Sequence, residues 1–221
     1  AIAGLYPPAS TVKPFLAAAA VEEGLFQRDT RLYTDGRLVV PNPYDPDNPT
    51  ILHDWRNHGT ISMIDAIALS SNVYFFTVGG GYNGREGLGS RRMQHYLSSF
   101  GIGSATSVGL WGEQEGALPG DEPAWRIGDT YNMSIGQGGL LVTPLQMARA
   151  VLALANHGVL REPYIVEKEE DVSSLRRVPI RAEALDVARE GMREAVRRGT
   201  AQGVADIPIP VAAKTGTAEF G

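Results

Sequence analysis

Tyr6-Pro7-Pro8-Ala9-Ser10-Thr11-Val12-Lys13-Pro14-Phe15 runs from a proline-stiffened entry into an alanine-rich stretch. Residues 11–23 predict a helix, with Gly24 as its natural stop. Proline is tolerated in a helix only near its first turn, so Pro14 requires the helix to begin close to Ser10. Ser10 then sits at or beside a helix N-terminus, with Lys13 one turn on. The i, i+3 spacing sets both side chains on one face, about 5–6 Å apart at Cβ. A hydroxyl with a basic amine in hydrogen-bond reach is what an activated serine needs. The positive end of the helix favours negative charge developing there. The plain alternative is an exposed Ser and Lys on a helix, and the S-x-x-K spacing alone arises by chance roughly 0.2 times in such a chain.

Lysine usage sharpens the reading. The 20 basic residues divide into 17 Arg and only 3 Lys, at Lys13, Lys168 and Lys214. Arginine holds a surface charge as well as lysine does, but only lysine offers an ammonium that sheds its proton when desolvated. Two of the three lysines fall in chemically suggestive motifs. Lys214-Thr215-Gly216-Thr217 lies on a tail, residues 207–220, whose β-branched, alternating character predicts a strand. It offers a cation and hydroxyls for a carboxylate, and Gly216 admits a substrate backbone closely. Between the two lies Ser70-Ser71-Asn72, at the end of a second predicted helix, with a hydroxyl for proton relay and an amide that both donates and accepts. Ser and Asn are also natural at a helix end. All three motifs in this order should arise by chance on the order of once in a thousand such chains.

The 221 residues have 43% hydrophobic and 20% charged content, the balance of a globular domain with a substantial core. A net charge of −5 argues against a nucleic-acid footprint. No apolar run approaches the roughly 18 residues of a membrane span, and no basic leader precedes the first motif. There is no cysteine, which excludes disulfides and thiol nucleophiles. The four histidines lack metal-ligand spacing, so no metal and no cofactor is expected.

Outward from the first motif, residues 28–60 read as a proline-punctuated excursion with a short strand at 37–40. Ser62 to Asp65 has the form of a capping signal for a helix ending near Ser70. A helix carrying Val73 to Phe76 runs to the glycines at 79–81, read as its stop. Residues 84–99 predict an amphipathic helix closed at Gly101, and 102–140 read as irregular. Thr143-Pro144-Leu145-Gln146 is a strong helix start, and 182–198 predict a helix ending at Gly199. Arg197 and Arg198 are read as a solvated helix end. Asp54, Trp55 and His58 are read as a loop packing on the domain rather than as acid–base groups. Asp129 and Asn132 are candidates for lining a cleft. Gly136, Gly138 and Gly139 suggest a phosphate loop, but no GK[ST] follows. No internal linker is evident, so residues 1–221 are expected to form one domain.

S-x-x-K, a middle Ser/Asn motif and K-T-G together are the signature of penicillin-binding proteins and class A β-lactamases. Beyond them the chain resembles, nearly end to end, the transpeptidase domain of class B penicillin-binding proteins, most closely the elongation-type penicillin-binding protein 2. The likeness is carried by the opening stretch, by Trp125-Arg126-Ile127-Gly128-Asp129-Thr130, and by Ser134-Ile135-Gly136-Gln137-Gly138 leading into Thr143-Pro144-Leu145-Gln146. The ending Ala213-Lys214-Thr215-Gly216-Thr217-Ala218-Glu219 completes it.

The resemblance implies an α+β fold: the mostly helical part of the penicillin-binding/serine β-lactamase-like domain. Much of the central antiparallel sheet would lie outside this chain, which starts nine residues before Ser10 and ends four after Thr217. It implies Ser10 as nucleophile toward a stem peptide ending in D-Ala-D-Ala, and Lys13 as its base. Ser70 would be the proton relay, Asn72 the holder of Lys13 and the substrate amide, and Lys214 the group tuning Ser70. Thr215 and Thr217 would bind the terminal carboxylate. The Ser10 and Thr217 N–H groups would form an oxyanion hole, a feature worth about 2.7–4 kcal/mol per donor. It further implies acylation by β-lactams, a membrane glycan polymerase as partner, and a place on the extracytoplasmic face of the inner membrane behind an anchor outside this stretch. The tail strand, lacking its neighbours, would pair with another chain or stay poorly ordered.

Asn72 departs from the elongation type, where many members carry Asp. Two rival readings remain at this stage. A serine β-lactamase would need a dedicated carboxylate base on a separate loop, which is not identifiable. A penicillin-binding sensor or scaffold domain would be expected to carry a transmembrane signalling segment.

Overall fold

The computed structural model describes residues 1–42, 44–120, 122–165 and 175–218. Lys168 and the last residues of the expected tail strand, from Glu219 on, lie outside the described residues.

A short 3₁₀ turn over Ala9–Val12 feeds directly into helix α1, Lys13–Glu22. Pro14 falls in the first turn of α1, as its missing N–H requires. Every residue of α1 from Lys13 to Ala20 is buried, so this is a central helix rather than an amphipathic one. The run Ala17-Ala18-Ala19-Ala20 lets neighbouring helices come close, and Phe15 stacks tilted on Phe100 with ring centroids 4.8 Å apart.

Six further helices are seen among the described residues. They are α2 (Met63–Leu69), α3 (Asn72–Gly80), α4 (Gly89–Ser99), α5 (Ile127–Ser134), α6 (Pro144–Ala155) and α7 (Ala182–Arg198). Helices α2, α3, α4 and α7 pack on α1. The predicted capping signals are realised. Ser62 and Asp65 cap α2 reciprocally, and Thr143 and Gln146 do the same for α6. Helix α7 has the predicted bounds, and its buried face packs on α1 and α2. Gly191 is where α7 meets α2: a Cβ there would lie 2.6 Å from Ile67 Cβ. Gly191→Ala is therefore expected to lower stability by about 1–3 kcal/mol through overpacking, read as a fall in denaturant midpoint.

Several expectations need correcting. Helix α4 starts at Gly89, not residue 84, because Tyr82 to Arg85 form a turn closed by a backbone bridge. The glycines at 79–81 are not simply a stop. Gly79 and Gly80 lie inside α3, where a Cβ would strike Ser134 and Tyr131, so they admit α5; only Gly81, at φ 74°, ends the helix. Helix α5 itself was not expected in the glycine-rich region. It starts where the Asp129 carboxylate accepts the Arg126 N–H at 2.8 Å, and it packs on α3. Arg198 is not merely solvated: it bonds Asp65 of α2 at 2.8 Å.

The β structure is small. Strands β1 (Leu32–Thr34) and β4 (Gly59–Ile61) pair antiparallel, as do β2 (Arg37–Val40) and β3 (Thr50–His53). A third pair joins β5 (Val159–Leu160) and β6 (Arg176–Arg177). Only β2 was foreseen. Over residues 207–218 the expected tail strand does not form, and they have no ladder partner among the described residues. They are held instead on the helices. The Ala213 N–H donates to the Met192 carbonyl of α7 at 3.1 Å, and Val211 and Ala213 pack on a cluster of Ala68, Ala195, Val196 and Ala201. A strand exists only against a neighbour, and none of the three strand pairs among the described residues lies in register with this tail. The architecture is α+β, with helices dominating.

Candidate active site

Four elements converge on one point. The 3₁₀ turn carries Ser10, and the first residue of α1 is Lys13. The joint between α2 and α3 carries Ser70, Ser71 and Asn72, and the tail carries Lys214 to Thr217.

The joint explains the middle motif. Helix α2 ends with Ser70 in the left-handed region, φ 59° and ψ 35°. A non-glycine residue there is uncommon and points to outside support. Ser71 caps α3 by accepting the Tyr74 N–H, and Asn72 opens that helix. The reversal turns Ser70 and Asn72 toward α1.

Lys13 is fully buried. Its ammonium donates to the Ser70 carbonyl at 2.8 Å, to Asn72 Oδ1 at 2.7 Å and, weakly, to Ser70 Oγ at 3.4 Å. Lys214 donates to Ser70 Oγ at 2.8 Å and to the Thr215 carbonyl at 3.0 Å. The Ser70 hydroxyl therefore stands between two amines. Burial, then the like charge of Lys214, hold Lys13 well below the usual lysine range, with Asp54 pulling the other way. Burial brings Lys214 down to about 7. A neutral Lys13 keeps two N–H groups for its two short bonds and frees a lone pair. With Lys214 donating to Ser70 Oγ, the Ser70 proton is free to point at that lone pair. The chain Lys214–Ser70–Lys13 is thus a ready proton relay.

Ser10 shares the helical face of Lys13, and the Lys13 N–H bonds the Ser10 carbonyl. No hydrogen bond joins the Ser10 hydroxyl to the Lys13 ammonium, contrary to the contact the spacing suggested. The ammonium is taken up by Ser70 and Asn72, which offer stronger acceptors than a hydroxyl.

The turn that carries Ser10 is held from two sides by glycines. Ala9 has φ 49°, and its N–H donates to the Gly136 carbonyl at 2.9 Å. A Cβ on Gly136 would lie 2.0 Å from the Ala9 carbonyl oxygen, and one on Gly216 would lie 2.9 Å from Thr11 Cγ2 and 3.1 Å from the Pro8 carbonyl oxygen. Gly216 thus admits the turn that carries Ser10. The glycine at 136, for which no phosphate-loop role was expected, has a structural use: it seats the turn that carries Ser10. Thr215 Oγ1 lies 2.7 Å from Thr200 Oγ1, a partner the sequence did not suggest, and Thr217 is exposed.

Two loop residues matter more than expected. The buried Asp54 carboxylate accepts from Ser71 Oγ at 2.7 Å and from the Val73 N–H at 3.0 Å. Trp55 Nε1 donates to the Leu69 carbonyl at 3.2 Å. Asp129 helps to line a cavity of about 520 Å³ with Trp125, Gln137 and Gly138; Asn132 is exposed outside that lining. Among the described residues no cluster of three or more His, Cys, Asp or Glu is placed to hold a metal, and no helix is long and apolar enough to cross a membrane.

The sequence profile of the penicillin binding protein transpeptidase domain matches residues 1–221. The chain is 32% identical to the peptidoglycan D,D-transpeptidase MrdA of Haemophilus influenzae, over 98% of this chain and 35% of that protein. It superposes on Pseudomonas aeruginosa PBP2, solved in complex with WCK 5153, with a TM-score of 0.87 and 30% identity, covering 99% of this chain and 51% of that one. A peptidoglycan synthase complex described as coordinating polymerization and crosslinking contains a chain matched with a TM-score of 0.82 and 29% identity, over 98% of this chain and 37% of that one. The chain spans about a third of the length of the curated relatives it matches.

Proposed function

Since the chain belongs to the penicillin-binding protein transpeptidase domain family, we propose that it forms the serine acyl-transfer site of a D,D-transpeptidase that cross-links peptidoglycan stem peptides during cell elongation. The observation that carries this reading is the buried relay Lys214–Ser70–Lys13, standing one helical turn from Ser10. Neutral Lys13 takes the Ser10 proton as Oγ attacks the carbonyl between two terminal D-alanines. Backbone N–H groups of Ser10 and Thr217 stabilise the oxyanion. Ser70 passes a proton to the departing D-alanine amine, and Lys13 and Lys214 restore it. Asn72 orients Lys13 and the substrate amide, and Thr215 and Thr217 hold the terminal carboxylate. An amine of a second stem peptide then attacks the acyl-enzyme. No metal or cofactor enters the scheme.

β-Lactams acylate Ser10 by the same attack. The working protein stands on the extracytoplasmic face of the inner membrane with a membrane glycan polymerase as partner. The similarity to a chain of a polymerization and crosslinking complex supports that pairing. The β-lactamase and sensor readings are less well supported, since the likeness to MrdA and PBP2 covers nearly the whole chain.

Intact-mass spectrometry after incubation with a penicillin tests the reading. A lasting adduct on the wild type and none on Ser10→Ala is the expected result. Drug turnover without an adduct would point to a β-lactamase, and an adduct surviving in Ser10→Ala would remove Ser10 from the role.

A further inference from the structure

Ser70 holds a left-handed conformation that its own residue type does not favour, yet the relay depends on where its hydroxyl points. Two adjacent residues of the β3–β4 loop grip the chain on either side of it. On the upstream side, the Trp55 indole N–H bonds the Leu69 carbonyl at the end of α2. On the downstream side, the Asp54 carboxylate bonds the Ser71 hydroxyl and the Val73 N–H at the start of α3, where negative charge suits the helix end. Asn72 lies between those two anchor points and accepts from Lys13. We propose that Asp54 and Trp55 are positioning residues: together they brace the α2–α3 joint so that Ser70 and Asn72 meet Lys13 in working geometry. This rests on the transpeptidase reading of the site.

The charge of Asp54 is part of the brace. From α1 it faces Lys13, and beyond Lys13 lies Lys214 on the tail; its own loop contributes Arg56 and His58. His58 Nδ1 accepts from Arg56 Nε at 3.3 Å, so its proton sits on Nε2, which has no hydrogen-bond partner among the described residues and lies 3.5 Å from Asp54 Oδ1. Burial holds His58 below its usual value, so it stays neutral near pH 7 and does not cancel the carboxylate. Asp54 thus favours the charged form of Lys13, and removing its charge makes Lys13 lose its proton at lower pH.

The test measures acylation by a fluorescent penicillin across pH, in the whole protein that carries this chain, for the wild type, Asp54→Asn and Trp55→Phe. Asp54→Asn is expected to slow the acylation step about 10-fold at neutral pH, to leave initial penicillin binding within about twofold, and to move the acidic limb of the profile to lower pH. Trp55→Phe is expected to slow acylation several-fold without moving the limb. A merely structural role for Asp54 would leave the limb in place. An unshifted limb, or acylation within about twofold of wild type in Asp54→Asn, overturns the proposal. Should Asp54→Asn lose its helical circular dichroism, Trp55→Phe decides alone, and unchanged acylation there overturns it. A wild type that takes no label, or a labelled Ser10→Ala, would instead defeat the reading of Ser10.

Discussion

Lys13→Met is expected to slow acylation of Ser10 by a penicillin by about 10³-fold, the scale of a lost general base acting on a serine. Methionine keeps most of the volume in a site with no exposure, so the packing of α1 should persist. What goes is the amine that Ser70 and Asn72 surround. The same change has a signature in stability. Lys13 is held below its unfolded value, so between the two values the unfolded chain binds more protons than the folded one. Stability contributed by this group is therefore reduced at lower pH and recovers as pH rises toward the unfolded lysine value of about 10.4. Lys214, with a folded value of about 7, acts with the same sign over its own window, from about 7 upward. Wild-type stability should thus rise with pH above neutrality more steeply than that of Lys13→Met, read from denaturant midpoints at several pH values. Equal slopes would mean that Lys13 is not depressed in the folded protein. Acylation within about tenfold of wild type would mean that it is not the base.

Gly136→Ala is expected to lose about 3 kcal/mol or more of stability and most acylation, although residue 136 bears no reacting group. Its φ of 73° is unfavourable for alanine, and the new Cβ would fall 2.0 Å from the Ala9 oxygen and 2.6 Å from the Ala9 carbonyl carbon. These are backbone atoms, which cannot rotate away as a side chain can. Ala9 is itself at φ 49° and is tied to Gly136 by its N–H. Relief must therefore move the turn that carries Ser10. A thermal melt and penicillin labelling check both halves. A variant that melts like wild type and labels at the wild-type rate would show that the turn tolerates displacement.

The local chemistry was legible without coordinates. Pro14 set the start of the first helix, Thr143-Pro144 and Ser62 to Asp65 set two more, and the stretch 182–198 closed by Gly199 predicted α7 with its bounds. Each of these signals acts within one or two turns of chain, where capping and periodicity settle the outcome. The three motifs named Lys13, Ser70, Asn72 and Lys214, which the fold connects by hydrogen bonds across 57 to 144 residues.

The pairing of β1 with β4 and the packing of α5 on α3 were not legible, because each depends on a partner distant in sequence. The tail kept its strand-like residues but lacked a neighbouring strand among the described residues, so it docked on α7 instead. Asp54 and Trp55 looked like ordinary loop residues, since neither their type nor their spacing reveals that they meet the two sides of Ser70. The sequence by itself determined which groups could do the chemistry and where most helices begin. Only the tertiary structure decided how they face one another: that Lys13 bonds the Ser70 carbonyl beside Asn72, the holder the resemblance implied, and leaves the Ser10 hydroxyl unbonded, and that a distant loop holds the joint in place. Backbone propensity and capping are local, whereas burial and hydrogen-bond partners across the chain exist only once the helices are packed.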